Sequence, residues 1–237
     1  MKLTILMYHK VAEPAAGARH LGNYVTPAQF EQQLDALLEW GYQTISFEQW
    51  LAYREGTFSP PRRPLIVTFD DGYQCFATTA WPALRTRGMG ATMYLVTSQI
   101  GGTNAWDADE VQEPLLDRSQ ILALQSEGVE LGSHSHTHVP LAKVSPAQAL
   151  EELTQSRAIL EQLLGKPVTS LSYPFSNQSR DVRALAARAG YLACVRGKGR
   201  MNRRSTDIHA LRRIKFDYRM TMDEVRRVLF QARWLRW

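Results

Sequence analysis

The sequence has 237 residues, a length that suits one large α/β domain or two small ones. Its hydrophobic content of 44% is ordinary for a globular protein, and no run of about 18 apolar residues predicts a membrane span. The first residues become polar too soon for a secretory signal, so we expect a cytoplasmic location. The two cysteines, Cys75 and Cys194, lack neighbours at metal-ligand spacing and are predicted to be free thiols.

The charge is distributed unevenly along the chain. Residues 180–237 contain 16 Lys and Arg against 5 Asp and Glu, whereas residues 1–179 contain 12 against 18. A basic C-terminal quarter favours an anionic partner such as a phosphate or a lipid headgroup, and a solvated basic surface is the ordinary alternative. The aromatic and arginine residues match no nucleic-acid reader module, so we expect no nucleic-acid partner.

Predicted strands and helices alternate from the first strand, over residues 1–8, to the C-terminus. After a predicted loop over residues 10–25, helices are predicted at residues 26–40, 46–55, 79–87, 119–126, 145–164, 182–189 and 221–237. Strands are predicted between them at residues 44–45, 65–69, 92–96, 129–132, 170–173, 192–195 and 211–214. This alternation is typical of a parallel α/β fold, in which functional residues collect at the carboxyl ends of the strands.

The most informative stretch is a buried apolar strand, Leu65–Phe69, that ends in Asp70, Asp71 and Gly72. Adjacent residues of an extended strand face opposite sides, so one carboxylate could hold a metal while the other handles protons. The glycine permits a sharp turn after them. The alternative is a strand followed by a solvated Asp-Asp-Gly turn.

A second stretch places His134, His136 and His138 within five residues, directly after a predicted strand. Such a cluster favours metal binding over a histidine-rich surface loop. His134 and His138 are four residues apart, so one helical turn would place both rings on one side. Two imidazoles and one carboxylate are a common ligand set for catalytic zinc. His136 would point elsewhere.

These two stretches resemble the motifs of the polysaccharide deacetylase family, the NodB-homology domain of carbohydrate esterase family 4. Thr68–Gly72 matches T-F-D-D-G, and His134–His138 matches H-[S/T]-x-x-H. Tyr8–Val11 resembles the Y-H-x-V start of a branch that includes deacetylases of biofilm N-acetylglucosamine polymers. The resemblance implies one domain over residues 1–237, a distorted (β/α)₇ TIM-like barrel, with a basic amphipathic helix at about 221–237.

The resemblance also implies residue roles. Asp70 is expected to be the general base, and Asp71, His134 and His138 are expected to hold one divalent metal. Zinc is the expected ion, with cobalt, nickel or iron as alternatives. A metal-activated water would attack the amide carbonyl while Asp70 takes its proton.

Later motifs depart from the family pattern. The third motif, R-x-P-[Y/F], has Ser172 in place of its arginine, although the Phe175 amide is still expected to serve the oxyanion. The late histidine motif is absent, and the resemblance to the Y-H-x-V branch implies that the first strand supplies the imidazole instead. We therefore expect His9 to be the general acid, with His209 as the rival. A packing role at the end of the first strand is the alternative for His9.

Aromatic residues near these motifs are candidates for sugar binding. Trp106, carried on a long loop over residues 98–117, Tyr8 and Phe175 could stack on a sugar ring, and Tyr73 is a further substrate-binding candidate. Each could instead belong to the core. The basic C-terminal helix is expected to dock on the barrel, with contact to a membrane surface or an anionic lipid-linked substrate as the alternative.

The sequence therefore predicts a metal-dependent hydrolase that removes N-acetyl groups from a poly- or oligosaccharide, with carbohydrate as its partner. Two alternatives stay open at this point. One is a deacetylase or deformylase of a lipid-linked or nucleotide-linked sugar or another amide, and the other is a non-catalytic glycan-binding relative.

Overall fold

The computed structural model describes residues 1–197, 199 and 201–231. In this part of the chain, the α-helices are α1 (Pro27–Glu39), α2 (Phe47–Glu55), α3 (Trp81–Arg85), α4 (Arg118–Ser126), α5 (Pro146–Leu164), α6 (Arg180–Arg188) and α7 (Met222–Gln231). The strands are β1 (Lys2–Tyr8), β2 (Lys10–Val11), β3 (Tyr24–Val25), β4 (Gln43–Thr44), β5 (Pro64–Phe69), β6 (Thr92–Leu95), β7 (Glu130–Ser133), β8 (Ser170–Ser172), β9 (Ala193–Arg196), β10 (Asn202–Arg203), β11 (Leu211–Arg212) and β12 (Ile214–Lys215).

The large sheet is nearly closed into a barrel. Its parallel strands follow the order β1, β5, β6, β7, β8, β9 and β11, and β12 pairs back in parallel with β1. A single residue, Arg213, separates β11 from β12, so the stretch 211–215 joins the last strand of the ring to the first. The expected (β/α) barrel is confirmed, and β10 adds an antiparallel pair on β1.

Alternate residues of the strands belong to two separate apolar clusters. On β1 and β5, Leu3, Ile5 and Ile66 lie in the smaller cluster, which α2 closes with Phe47 and Trp50. The intervening residues of these strands pack in the larger cluster with the surrounding helices. Because side chains alternate along a strand, Thr68 and Asp70 lie on the same side of β5 as Ile66.

Side-chain caps fix where the helices begin, as the sequence predicts. The Thr26 and Ser46 hydroxyls cap α1 and α2 in reciprocal capping boxes with Gln29 and Gln49. The helix predicted at residues 119–126 begins one residue earlier, at Arg118, because the Asp117 side chain accepts the Gln120 N–H. A carboxylate suits this position because it also complements the positive end of the helix.

Two other segments differ from the predictions. The predicted loop over residues 10–25 contains β2 and β3, which pair in parallel as a separate two-stranded sheet. The helix predicted at 79–87 begins earlier with a π-helical turn, Phe76–Ala80, that continues into α3. Both free cysteines agree with the prediction, and Cys194 is fully buried.

The final helix is capped by Thr221, which accepts from the Glu224 N–H while the Glu224 carboxylate accepts from the Thr221 N–H. The apolar face of α7 packs on the larger cluster through Val225 and Leu229, as expected for a docking helix. Its predicted continuation over residues 232–237 lies outside the described residues. Among the helices described, none combines the length and the apolar character that crossing a bilayer requires.

Candidate active site

Asp70 and Asp71 follow the carboxyl end of β5 and line the same cavity, which has a volume of about 770 Å³. The strand alternation aims Asp70 inward. Asp71 would face outward if the strand continued, but its φ of 77° turns its carboxylate back into the cavity. The prediction that the two side chains face opposite sides is therefore wrong, because the strand ends at Phe69.

Left-handed backbone is concentrated around this cavity. In the part of the chain that the structure describes, the non-glycine residues with positive φ are Asp71, Ser135, His138, Phe175 and Ser176. They lie in the three segments that follow β5, β7 and β8. Such conformations cost about 1–3 kcal/mol each and persist where the surrounding structure holds them, which indicates that these segments are shaped for function.

The segment after β7 brings His134 and His138 together without a helix. Positive φ angles at Ser135 and His138 exclude the predicted helical turn, yet the two ring centroids lie 4.9 Å apart. The buried Glu152 carboxylate of α5 fixes this segment by accepting the N–H groups of His136 and Thr137 at 2.9 and 2.8 Å. His136 points away and contacts the Thr97 hydroxyl, as the sequence predicts.

His134 and His138 both direct Nε2 at Asp71. The Nε2 atoms lie 3.3 and 3.4 Å from Asp71 Oδ1. His134 Nδ1 lies 2.8 Å from the Ser172 carbonyl oxygen, and because a carbonyl only accepts, Nδ1 carries the hydrogen and Nε2 presents its lone pair. His138 Nδ1 is buried without a hydrogen-bond partner among the described residues.

This arrangement fits a metal ion. The ligand atoms of Asp71, His134 and His138 all lie within 4.8 Å of one another, and the three residues are buried. Three ligands placed about 2.0–2.1 Å from a tetrahedral ion would lie about 3.3 Å apart, close to the two nitrogen–oxygen distances observed. The backbone contact of His134 is the kind that orients metal-binding imidazoles. These residues could therefore hold a divalent metal with room for a further ligand.

The neighbouring carboxylate, Asp70, is held by a fully buried arginine. Arg213 Nη1 and Nη2 donate to the two oxygens of Asp70 at 2.6 Å each, and Nη2 also donates to the Ser172 hydroxyl at 2.9 Å. Burial alone would raise the pKa of Asp70, but the charges of Arg213 and His134 outweigh it and lower that pKa below its usual value. Asp70 is therefore ionised and rigidly oriented.

Sequence reasoning missed Arg213. Ser172 stands where the family pattern has its arginine, and the guanidinium arrives from the stretch that closes the barrel, 143 residues after Asp70. Leu211 belongs to the smaller cluster, so strand alternation places Arg213 on the same inner row. That alternation over residues 211–215 was the one sequence signal that could have indicated it.

Of the two histidines considered for proton transfer, His9 lines the cavity and His209 does not. His9 follows β1 directly, and its Nδ1 is buried without a hydrogen-bond partner among the described residues. His209 instead directs Nε2 at the Tyr191 carbonyl oxygen at 3.0 Å. His209, the alternative general acid, therefore lies outside the cavity that the other site residues line.

The environment of His9 predicts a pH-dependent stability. Burial lowers the pKa of His9 from 6.5 to about 4, although Asp71 and Asp70 oppose the shift. Because the unfolded chain binds this proton first, acidification from pH 6.5 towards 4 destabilises the fold. We expect the His9→Gln variant to lose about 1–3 kcal/mol less unfolding free energy than the wild type between pH 7 and 4.5.

Urea titrations of the metal-free protein at several pH values would measure this difference, with His209→Gln as the control for loss of an imidazole elsewhere. Parallel pH profiles for the wild type and His9→Gln would contradict the expectation.

The aromatic candidates divide into two groups. Trp106 and Phe175 have ring centroids 4.5 and 4.6 Å from that of His138 and line the cavity, and Phe175 is 66% exposed. Tyr73 also lines the cavity but is buried, with the ammonium of Lys10 4.4 Å from its ring centroid. Tyr8 is fully buried and stacks on a core phenylalanine, so its predicted role in sugar stacking is wrong.

The loop that carries Trp106 is anchored to the strands rather than free. Lys10 of β2 forms a salt bridge with Glu113, whose carboxylate also accepts the Tyr24 hydroxyl. Glu110 accepts the backbone N–H groups of Arg19 and His20. These contacts tie the loop to the segment between β2 and β3 and hold Trp106 in place beside His138.

Comparison with known proteins agrees with this geometry. The family described as polysaccharide deacetylase matches residues 58–194. The YxkH protein of Bacillus subtilis (strain 168) is 26% identical over 216 residues, which cover 90% of this chain and 71% of that protein. A poly-β-1,6-N-acetyl-D-glucosamine N-deacetylase of Staphylococcus epidermidis is 26% identical over 190 residues, 72% of this chain and 63% of the relative. This chain thus spans less than two thirds of the staphylococcal enzyme.

Solved structures show the same fold. The deacetylase PplD of Streptococcus pyogenes, determined with acetate, superposes with a TM-score of 0.83 at 24% identity and covers 97% of this chain and 98% of that one. IcaB from Ammonifex degensii superposes with a TM-score of 0.82 at 22% identity, with 98% and 97% coverage. Both share the barrel architecture over nearly the whole chain.

Proposed function

Because the chain belongs to the polysaccharide deacetylase family, we propose that it removes N-acetyl groups from N-acetylated sugars in a poly- or oligosaccharide, in a metal-dependent hydrolysis. The observation that carries this proposal is the convergence of three buried ligand atoms beside an ionised, arginine-bound carboxylate. N-acetylglucosamine units are the proposed substrate, a choice supported by the staphylococcal relative's name.

Asp71, His134 and His138 would hold the metal, for which we propose zinc because two imidazoles and one carboxylate suit it. When bound, such an ion supplies Lewis-acid polarisation of the acyl group and acidifies water. His134 contributes a preset tautomer through its contact with Ser172.

Asp70 is the proposed general base. Its lowered pKa keeps the carboxylate ionised at neutral pH, and both oxygens are fixed by Arg213. It would accept the proton of the water that attacks the acyl carbon, while the backbone N–H of Phe175 would face the carbonyl oxygen as it gains charge. Phe175 is held for this role in a left-handed conformation after β8.

His9 is the proposed general acid. The departing amine nitrogen needs a proton, and among the described residues the cavity contains two imidazoles outside the ligand group, His9 and His20. His20 is exposed and lies 3.2 Å from Asp107, whereas His9 is within electrostatic reach of Asp70 and Asp71. With a pKa of about 4, the His9 ring is neutral at pH 7, so we propose that it takes up the proton that Asp70 has accepted from the water and passes that proton to the departing amine nitrogen. The sugar ring would lie against Trp106 and Phe175, with Tyr73 supporting the wall of the cavity.

Acetate release tests this function. Purified protein would be stripped of metal with a chelator and assayed on N-acetylglucosamine oligosaccharides before and after addition of zinc, cobalt, nickel or iron. We expect release only with a divalent ion restored, and we expect His136→Gln, which changes the histidine that points away, to match the wild type. Absence of release from every oligosaccharide with every ion would reject the proposal.

Three expectations from the sequence stay predictions. These are the cytoplasmic location, the single domain over residues 1–237, and contact of the basic C-terminal segment with a membrane surface or a lipid-linked substrate. The residues of that segment beyond Gln231 lie outside the described part of the chain.

A further inference from the structure

Among the described residues, the Lys and Arg side chains that line the cavity outnumber its carboxylates. The carboxylates are those of Asp70, Asp71 and Asp107. The Lys and Arg residues are Arg19, Arg213, Lys215 and Arg219. Arg213 is bound to Asp70, and His20 lies 3.2 Å from Asp107. Arg19, Lys215 and Arg219 are therefore not neutralised by any carboxylate that lines the cavity.

Lys215 is the most informative of these cations. Its ammonium donates to the neutral side-chain oxygen of Asn23 at 2.9 Å, and among the described residues no carboxylate lies within ion-pair distance of it. Burial lowers the pKa of Lys215 even though three nearby carboxylates oppose the shift. A partly buried ammonium whose N–H donors are not all bonded carries a free-energy cost unless an anion pairs with it.

Arg219 and Lys215 both approach the backbone of Gly22. A Cβ atom at Gly22 would lie 3.2 Å from Arg219 Nη2 and 3.8 Å from both Lys215 Nζ and Asp217 Oδ2. The two nitrogens are thus within about 7 Å of each other, a separation that one phosphate or carboxylate group can bridge. Arg219 already pairs with Asp217 at 3.0 Å, but Asp217 does not line the cavity.

Lys215 and Arg219, which we call the cationic corner, lie near His9 in the cavity. Lys215 pairs in register with Met7 of β1, two residues before His9. The charge of Lys215 contributes to the low pKa of His9, so the two side chains are within electrostatic reach. Trp106 and Phe175 instead surround His138.

Resting on the proposed function, we propose that Lys215 and Arg219, with Arg19 in the same cavity lining, form a subsite for an anionic group of the substrate. The substrate class is an N-acetylated sugar that carries a phosphate or a carboxylate close to the acetamido group. The sugar ring occupies the aromatic side of the cavity while its anionic substituent occupies the cationic corner.

The test compares three oligosaccharides of N-acetylglucosamine that differ in one substituent: none, one phosphate ester, or one carboxyl group. The wild type is expected to show a higher kcat/KM for an anionic substrate than for the neutral one. In Lys215→Gln and Arg219→Gln this preference should fall about 10- to 100-fold, since a charge-assisted contact is lost. Lys215→Arg should restore most of it. Comparison of the phosphorylated with the carboxylated oligosaccharide shows which anionic group the subsite prefers.

Lys143→Gln and Arg227→Gln, which remove cations outside the cavity, serve as matched controls and should keep the wild-type preference. An equal kcat/KM of the wild type for neutral and anionic substrates would overturn the subsite. So would Lys215→Gln if it lowered both activities in the same proportion, because Lys215 would then only anchor Asn23.

Binding measurements separate this proposal from the proposed function. If no oligosaccharide releases acetate, the deacetylase proposal fails, and calorimetric titration with the same three saccharides still tests the subsite. Tighter binding of an anionic saccharide that is lost in Lys215→Gln supports it, whereas equal binding of all three rejects it.

Discussion

The Asp70→Asn variant is expected to lose about 10²- to 10⁴-fold in kcat while it still takes up metal. The amide of Asn keeps the shape of the carboxylate but cannot accept the proton of the attacking water. Asp71 and the two imidazoles, which would hold the ion, are unchanged. Acetate release and metal content measured on the same preparations would check both parts.

Asp109→Asn, which removes an exposed carboxylate on the loop of Trp106, is the matched control and should retain wild-type turnover. Asp70→Asn with unchanged kcat would remove Asp70 from the role of base. Loss of metal together with activity would instead make Asp70 part of the ion's binding site.

Loss of Arg213, the buried partner of Asp70, is expected to lower the stability of the fold. Asp70 is 3% exposed and Arg213 is 1% exposed, so Arg213→Gln leaves a carboxylate buried without its cation. We expect a destabilisation of about 3–5 kcal/mol. The double variant Asp70→Asn/Arg213→Gln, which buries no charge at this position, should recover part of the loss in urea unfolding.

The same substitution should alter the pH dependence of turnover. The guanidinium lowers the pKa of Asp70, so its removal raises that pKa. Because the base must be ionised, the acid limb of the kcat/KM profile is expected to move to higher pH in Arg213→Gln. An unmoved limb would show that Asp70 is not the group that titrates there.

The second large effect is expected at the proposed metal ligands. His138→Gln should weaken metal binding more than about 100-fold, beyond the 10- to 100-fold typical of residues that only support a ligand, and reduce acetate release to background. The reason is that His138 Nε2 is one of three donor atoms that converge, and an amide oxygen is a poorer ligand for zinc than imidazole.

Metal content after dialysis against a graded metal buffer measures this effect. His136→Gln is the matched control, because His136 lies in the same segment but contacts Thr97. Wild-type metal content in His138→Gln would contradict the assignment, and recovery of activity at high metal concentration would confirm that binding is what was lost.

The sequence predicted the fold and most of the site because both depend on local patterns. Alternating strands and helices indicate a parallel α/β fold, and the resemblance to the deacetylase family implies the barrel. The two motifs that follow β5 and β7 contain the carboxylates and imidazoles that converge. The backbone geometry predicted for these two motifs was wrong at one residue in each motif. Asp71 and His138 both adopt left-handed backbone, which neither strand alternation nor helical spacing anticipates.

Arg213 was not predicted for a different reason. Its contact with Asp70 joins residues 143 positions apart and exists only because the stretch 211–215 pairs with both β9 and β1. Local propensity contains no information on such a contact. Strands β2 and β3 were not predicted for a similar reason. These two short strands are stabilised by pairing with each other and by the loop that Glu110 and Glu113 tie to them.

The position of Arg213 at the junction of β11 and β12 couples the proposed base to closure of the barrel. A nascent chain that has emerged only as far as β9 already contains Asp71, His134 and His138, yet its Asp70 lacks a counter-charge. The lowered pKa of Asp70 therefore arises only once β12 pairs with β1 and brings the guanidinium to the carboxylate.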